Sequence, residues 1–150
     1  MSIVGGNRYG WFVIEEIADL PLDNTLRTGL CHRADGDGDM EDKDSGKKAH
    51  FHFHKKTCDD PNDREDDNVQ SDDRSGSHFQ STAITAAPFT VDEDAQTVTI
   101  VGSGLHDGLP VGFTMVAVDN GSLAPGVFTL ILTDGYRIAG AVTSGGIVIQ

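Results

Sequence analysis

The run AHFHFHKK at residues 49–56 is the feature that most narrows what this chain can fold into. Successive side chains of a strand point to opposite sides, so Phe51 and Phe53 share one face while His50, His52 and His54 share the other. A helix would scatter these residues around its circumference. The segment predicts a strand with one greasy and one wet face, and therefore a sheet that buries only one of its sides.

The same alternation returns in VFTLILT at 127–133, where Phe128, Leu130 and Leu132 fall together. Further strands are expected over residues 9–16, 25–31, 77–85 (running past Pro88 through Thr90 and Val91), 96–101, 110–118, 136–142 and 147–149. Turns are expected at Asp119-Asn120-Gly121, at Asp134-Gly135, through the glycine-rich stretch 102–108 and at Ser144-Gly145-Gly146. Residues 34–46 (ADGDGDMEDKDSG) and 59–76 show no apolar period and read as two long acidic loops. No segment has a helical period. Eighteen glycines with 37% hydrophobic residues suit short strands and tight turns. The reading is a single all-β domain over 1–150: an antiparallel β-sandwich, or one closing toward a barrel, of about 8 to 10 strands. Its core is expected to hold Trp11, Val13, Phe51, Phe53, Phe79, Ile84, Val98, Ile100, Phe113, Met115, Phe128, Leu130, Leu132 and Ile138.

A formal net charge of −13 argues against nucleic acid and against docking on an anionic membrane, since both attract basic surfaces. It favours solubility and cationic partners. No apolar run approaches the roughly 18 to 20 residues of a membrane span. The opening MSIVGGNRYG is not a signal peptide, so a secreted or cell-surface location implies a leader not present in this chain, or exit by another route such as a virus particle. Cys31 and Cys58 make one bridge available, the alternative being two unpaired thiols.

GGNRYGWFVIEE near the start, AHFHFH in the middle, and the closing run from VGFTMVAVDNG through APGVFTLILTDGYRIAGAVTSGGIVIQ resemble the post-COAP domain of bacterial extracellular proteins. The D-N-G, D-G-Y and G-G-I signatures stand in that family's order across most of the chain. The resemblance implies a secreted or surface β-rich module with no catalytic residues to carry over. The two acidic stretches depart from the family's pattern.

Two constellations could carry chemistry. His50, His52 and His54 lie about 6.5 to 7 Å apart along one strand face, and His78 joins them if Phe79 enters the Phe51/Phe53 core. Two such histidines with a neighbouring ligand could hold zinc or copper, against the plainer reading of a polar strand face. Asp35, Asp37 and Asp39 begin like a calcium loop, but an EF-hand needs glycine where Met40 stands and glutamate where Gly46 stands, so only another oxygen cage would serve. Residues 59–73 add eight carboxylates, which suit a cation or a solvated loop. Ser81, Ser103 and Ser144 lack a nucleophile-elbow context. No catalytic residue is assigned.

The function expected is a non-catalytic extracellular structural or binding module, homo-oligomeric or bound to another surface protein, with calcium as the candidate cation. A metal-dependent enzyme on the histidine face is one alternative. A viral capsid or tail decoration protein is another. Both terminal strands, 9–16 and 147–150, suggest edge pairing into filaments or rings, unless they pair inside their own sheet.

Overall fold

A computed structural model describes residues 31–58, 66–91 and 94–150. Backbone packing divides the chain into Met1–His32 and Arg33–Gln150, and the fold below is that of the second unit. The strands expected over 9–16 and 25–31, and the core positions Trp11 and Val13, lie outside the described residues, apart from Cys31.

Nine antiparallel strands follow one another with no helix among the described residues: β1 (Arg33–Glu41), β2 (Lys48–Lys56), β3 (Asn68–Asp73), β4 (His78–Ala86), β5 (Phe89–Val91), β6 (Gln96–His106), β7 (Leu109–Asp119), β8 (Val127–Leu132) and β9 (Arg137–Ile149). Hydrogen-bonded neighbours run β4-β3-β2-β1-β9-β8-β7-β6-β5, and β4 also pairs with β6. That last pairing closes eight strands into a single barrel-like sheet instead of two stacked ones. Strand β5 lies on the same edge of β6 beyond Pro88, continuing the line of β4 as the sequence suggests.

Closure decides what is inside. An eight-stranded barrel is just wide enough for its own side chains to fill. Here Phe51 stacks on Phe128 at 4.6 Å between centroids, with Phe53 6.2 Å from Phe51. Phe79 tilts against Phe113 at 5.1 Å. Val98, Ile100, Met115, Leu130, Leu132 and Ile138 complete the expected core, all buried, while Ile84 packs only partly against it.

Four sequence expectations need correction. Residues 34–46 are not a loop, because 33–41 form β1. Its inward positions are Ala34, Gly36, Gly38 and Met40, so the Asp-Gly alternation is itself a period of two with glycine as the inner residue. A Cβ at Gly36 would sit 2.2 Å from Phe53 Cε1, so the ring occupies the space a side chain would take. Part of the second acidic stretch is likewise a strand, β3, burying Val69, Ser71 and Asp73. Residues 102–106 continue β6, and the turn contracts to Asp107-Gly108, whose φ values of 51° and 87° are those of a two-residue hairpin. Finally, Ser144-Gly145-Gly146 lies inside β9. There Gly145 (φ 79°) lets β1 approach closely, since a Cβ would fall 2.1 Å from Asp37 O. On one side residues 147–149 pair with β1, so the last strand is part of its own sheet.

Candidate functional site

The register of β1 to β4 sets acids against imidazoles on the outer wall. Asp39, Asp37 and Asp35 of β1 face His50, His52 and His54 of β2, respectively. Strand β3 then sets Asp72 beside His50, and β4 sets His78 beside Asp72. One row thus reads Ser144, Asp39, His50, Asp72, His78 across five strands. The expectation that Phe79 enters the core and turns His78 to the histidine side holds, with Phe79 buried and His78 exposed.

The contacts are specific. His50 Nδ1 is 3.0 Å from Asp39 Oδ1 and its Nε2 is 3.0 Å from Asp37 Oδ1. Ser144 Oγ donates to Asp39 Oδ2 at 2.9 Å. These partners, His50 first and Ser144 next, hold the Asp39 carboxyl below its usual 3.8. His54 is buried, its Nδ1 2.5 Å from Asp35 Oδ1, while Arg33 Nε donates to Asp35 Oδ2 at 2.7 Å. His78 Nδ1 bonds Asp72 Oδ1. The aspartates expected to cage calcium on a loop instead stand on a strand and pair with histidine or arginine. Among the described residues no group of three or more His, Cys, Asp or Glu side chains is placed to hold a metal ion. Beside His52 an open groove of about 300 Å³ lies between Asp35, Asp37, Gly146 and Val148, with Gly36 and Phe53 beneath.

A second cluster occupies the barrel end where the β1–β2, β3–β4, β6–β7 and β8–β9 turns meet. Asp73, its side chain fully buried, accepts from Ser75 N and Ser75 Oγ through Oδ1, and from Tyr136 through Oδ2 at 2.6 Å. Burial opposes its ionisation, but the bonds from Ser75, Tyr136 and the Ser77 amide outweigh that, and its carboxyl is held below 3.8. Burial, then the Asp73 contact, pushes the Tyr136 phenol well up. Asp42 is similarly held down, chiefly by the Ala139 amide at 2.8 Å, with Ser45 adding to it. His106 ends β6 against the Tyr136 ring at 4.8 Å. Its Nδ1 lies 2.6 Å from Asp134 Oδ2 and its Nε2 2.5 Å from Ser77 Oγ.

Sequence reasoning did not find Ser77, His106 or Asp134. The serines it weighed serve the sheet: Ser81 Oγ accepts from Val69 N, and Ser144 bonds Asp39. The signal available was the pair of Asp-Gly turns, but which turns share an end depends on strand pairing.

Both cysteines are disulfide-bonded, and being the chain's two they form the expected Cys31–Cys58 bridge. No protein-family model, curated protein or solved structure matches the chain. The fold and sites therefore define a class and nothing narrower: an antiparallel, barrel-like β module with a filled interior and an acid–imidazole outer wall. No helix among the described residues is long and apolar enough to cross a membrane, which says nothing of strands.

Proposed function

We propose that this chain is an extracellular binding module that engages a protein partner through the outer wall of β1 to β4. The observation that carries the reading is the division between inside and outside: aromatic and aliphatic side chains fill the barrel, while Asp35, Asp37, Asp39 and Asp72 and most histidines of these strands stand outside in register. A filled small barrel has its binding surface on the outside. The disulfide and the resemblance to the post-COAP domain support a location outside the reducing cytoplasm.

The groove beside His52 supplies the chemistry of the partner. Asp35 and Asp37 flank it, and it suits a lysine or arginine side chain from a basic protein surface, another copy of this chain being the alternative occupant. Calcium taken up by the acidic stretch 59–73 would add an ion-dependent step. Size-exclusion chromatography and pull-down, with and without chelator, compare the wild type with Asp35→Asn/Asp37→Asn. The expected result is a partner complex or self-association weakened in the double variant. A strict monomer that retains no partner and ignores chelator would sink the reading.

A further inference from the structure

Three side chains drawn from three hairpins meet at the rim, separated by 29 and 28 positions along the chain. Asp134 sits in the β8–β9 turn, His106 ends β6, and Ser77 precedes β4, next to Gly76 with φ 100°. The Asp134 carboxylate only accepts, so its 2.6 Å contact draws the imidazole proton to Nδ1. That leaves Nε2 as an acceptor, 2.5 Å from the Ser77 hydroxyl. The imidazole is largely shielded, 14% exposed, and Asp134 is within solvent reach at 39%. The other groups facing the ring are Tyr136, whose phenol is committed to Asp73, and Asp107, whose Oδ2 lies 3.7 Å from Nε2. Neither takes the place of Ser77 on Nε2.

We propose that Ser77, His106 and Asp134 form an acyl-transfer site that cleaves activated carboxylic esters. Ser77 Oγ bonds to the acyl carbon as its proton passes to His106 Nε2, and the ester oxygen leaves with that proton. Water, deprotonated by the same nitrogen, then cleaves the acyl-serine, releasing the carboxylic acid and restoring the hydroxyl. Ser77 and His106 are the catalytic residues, and Asp134 is a positioning residue. The substrate class follows from the amides. Ser77 N donates to Asp73 Oδ1 at 3.2 Å and His78 N to Asp107 Oδ1 at 2.8 Å, so neither is free to receive an oxyanion. Oxyanion donors are each worth about 10²- to 10³-fold in rate. Without that pair, esters with good leaving groups such as phenols fall within reach and amides do not.

The test uses the whole chain with p-nitrophenyl acetate and, separately, diisopropyl fluorophosphate, mapped by peptide mass spectrometry. The expected adduct forms on Ser77 about tenfold or more faster than on Ser75 or Ser81 of the same molecules. His106→Asn is expected to slow it about 100-fold, the usual scale of general-base catalysis. Asp134→Asn is expected to change the pH profile of acylation, and Asp134→Glu to restore most of the rate, which a purely structural turn residue would not do. Equal labelling of Ser77 and Ser75 in the wild type overturns the proposal even where a variant fails to fold. So does a Ser77 rate unchanged in folded His106→Asn.

Discussion

At the residue scale, the acidic stretch 33–41 shows how a polar sequence can hide a strand. Asp-Gly-Asp-Gly-Asp looks like a loop because glycine is counted as a breaker, yet here glycine is the inner residue of the alternation. At Gly36 the space belongs to Phe53, so Gly36→Val should overpack the core and cost about 1–3 kcal/mol. Gly146 has nothing within 4 Å of its would-be Cβ and an ordinary φ, so Gly146→Ala should leave the thermal midpoint almost unchanged. Paired thermal melts check both. The carboxylates make a further prediction. Asp39, Asp42, Asp73 and Asp134 are all held below the ordinary 3.8, so the folded state favours their ionised forms. Their stabilisation is complete above about pH 3.8 and is lost as pH falls through the lower folded values. Melts should therefore change little through these groups above that pH and drop steeply beneath it, with a shallower acid limb in Asp42→Asn.

At the element scale, the strands with apolar alternation were legible and those whose alternation uses glycine, serine or aspartate were not. Strands β2, β4, β7 and β8 follow from phenylalanine, leucine and β-branched residues, as does the wet row of His50 and His52. Strand β3 buries Ser71 and Asp73, which no hydrophobic pattern would select; Asp73 tolerates this because serine, tyrosine and backbone donors surround it. In β9, the Ser-Gly-Gly sequence carries a turn signature, but Gly145 serves the close approach of β1. Gly145→Ala combines a positive φ with a Cβ 2.1 Å from Asp37 O and should disturb the β1–β9 ladder locally. Amide exchange should speed up in 35–39 and 144–148 while β6 to β8 keep their protection. Uniform protection equal to wild type would contradict that role for the glycine. The rim triad was illegible for a related reason: its members become neighbours only once three hairpins share one end.

At the scale of the whole molecule, the closing contacts are the pairing of β4 with β6, which passes over only the short β5, and that of β1 with β9, between segments far apart in sequence. Closure removes most sheet edges, fills the interior and leaves the binding surfaces outside. The Cys31–Cys58 bridge closes a loop of 27 residues, worth on the order of 3 to 4 kcal/mol in the chain-entropy model. Reduction should lower the unfolding free energy read from chemical denaturation by that scale while the β-sheet circular dichroism persists, because the barrel core lies in β1 to β9. The barrel and its outer wall both require residues 33–41 to be a strand with a neighbour on each side. Cross-strand nuclear Overhauser contacts measure this directly. Contacts joining Asp37 to both His52 and Gly146, with slow amide exchange along the segment, are the predicted result. Rapid exchange from 33 to 41, with no contact to either neighbour, would contradict the barrel and the outer wall built on it.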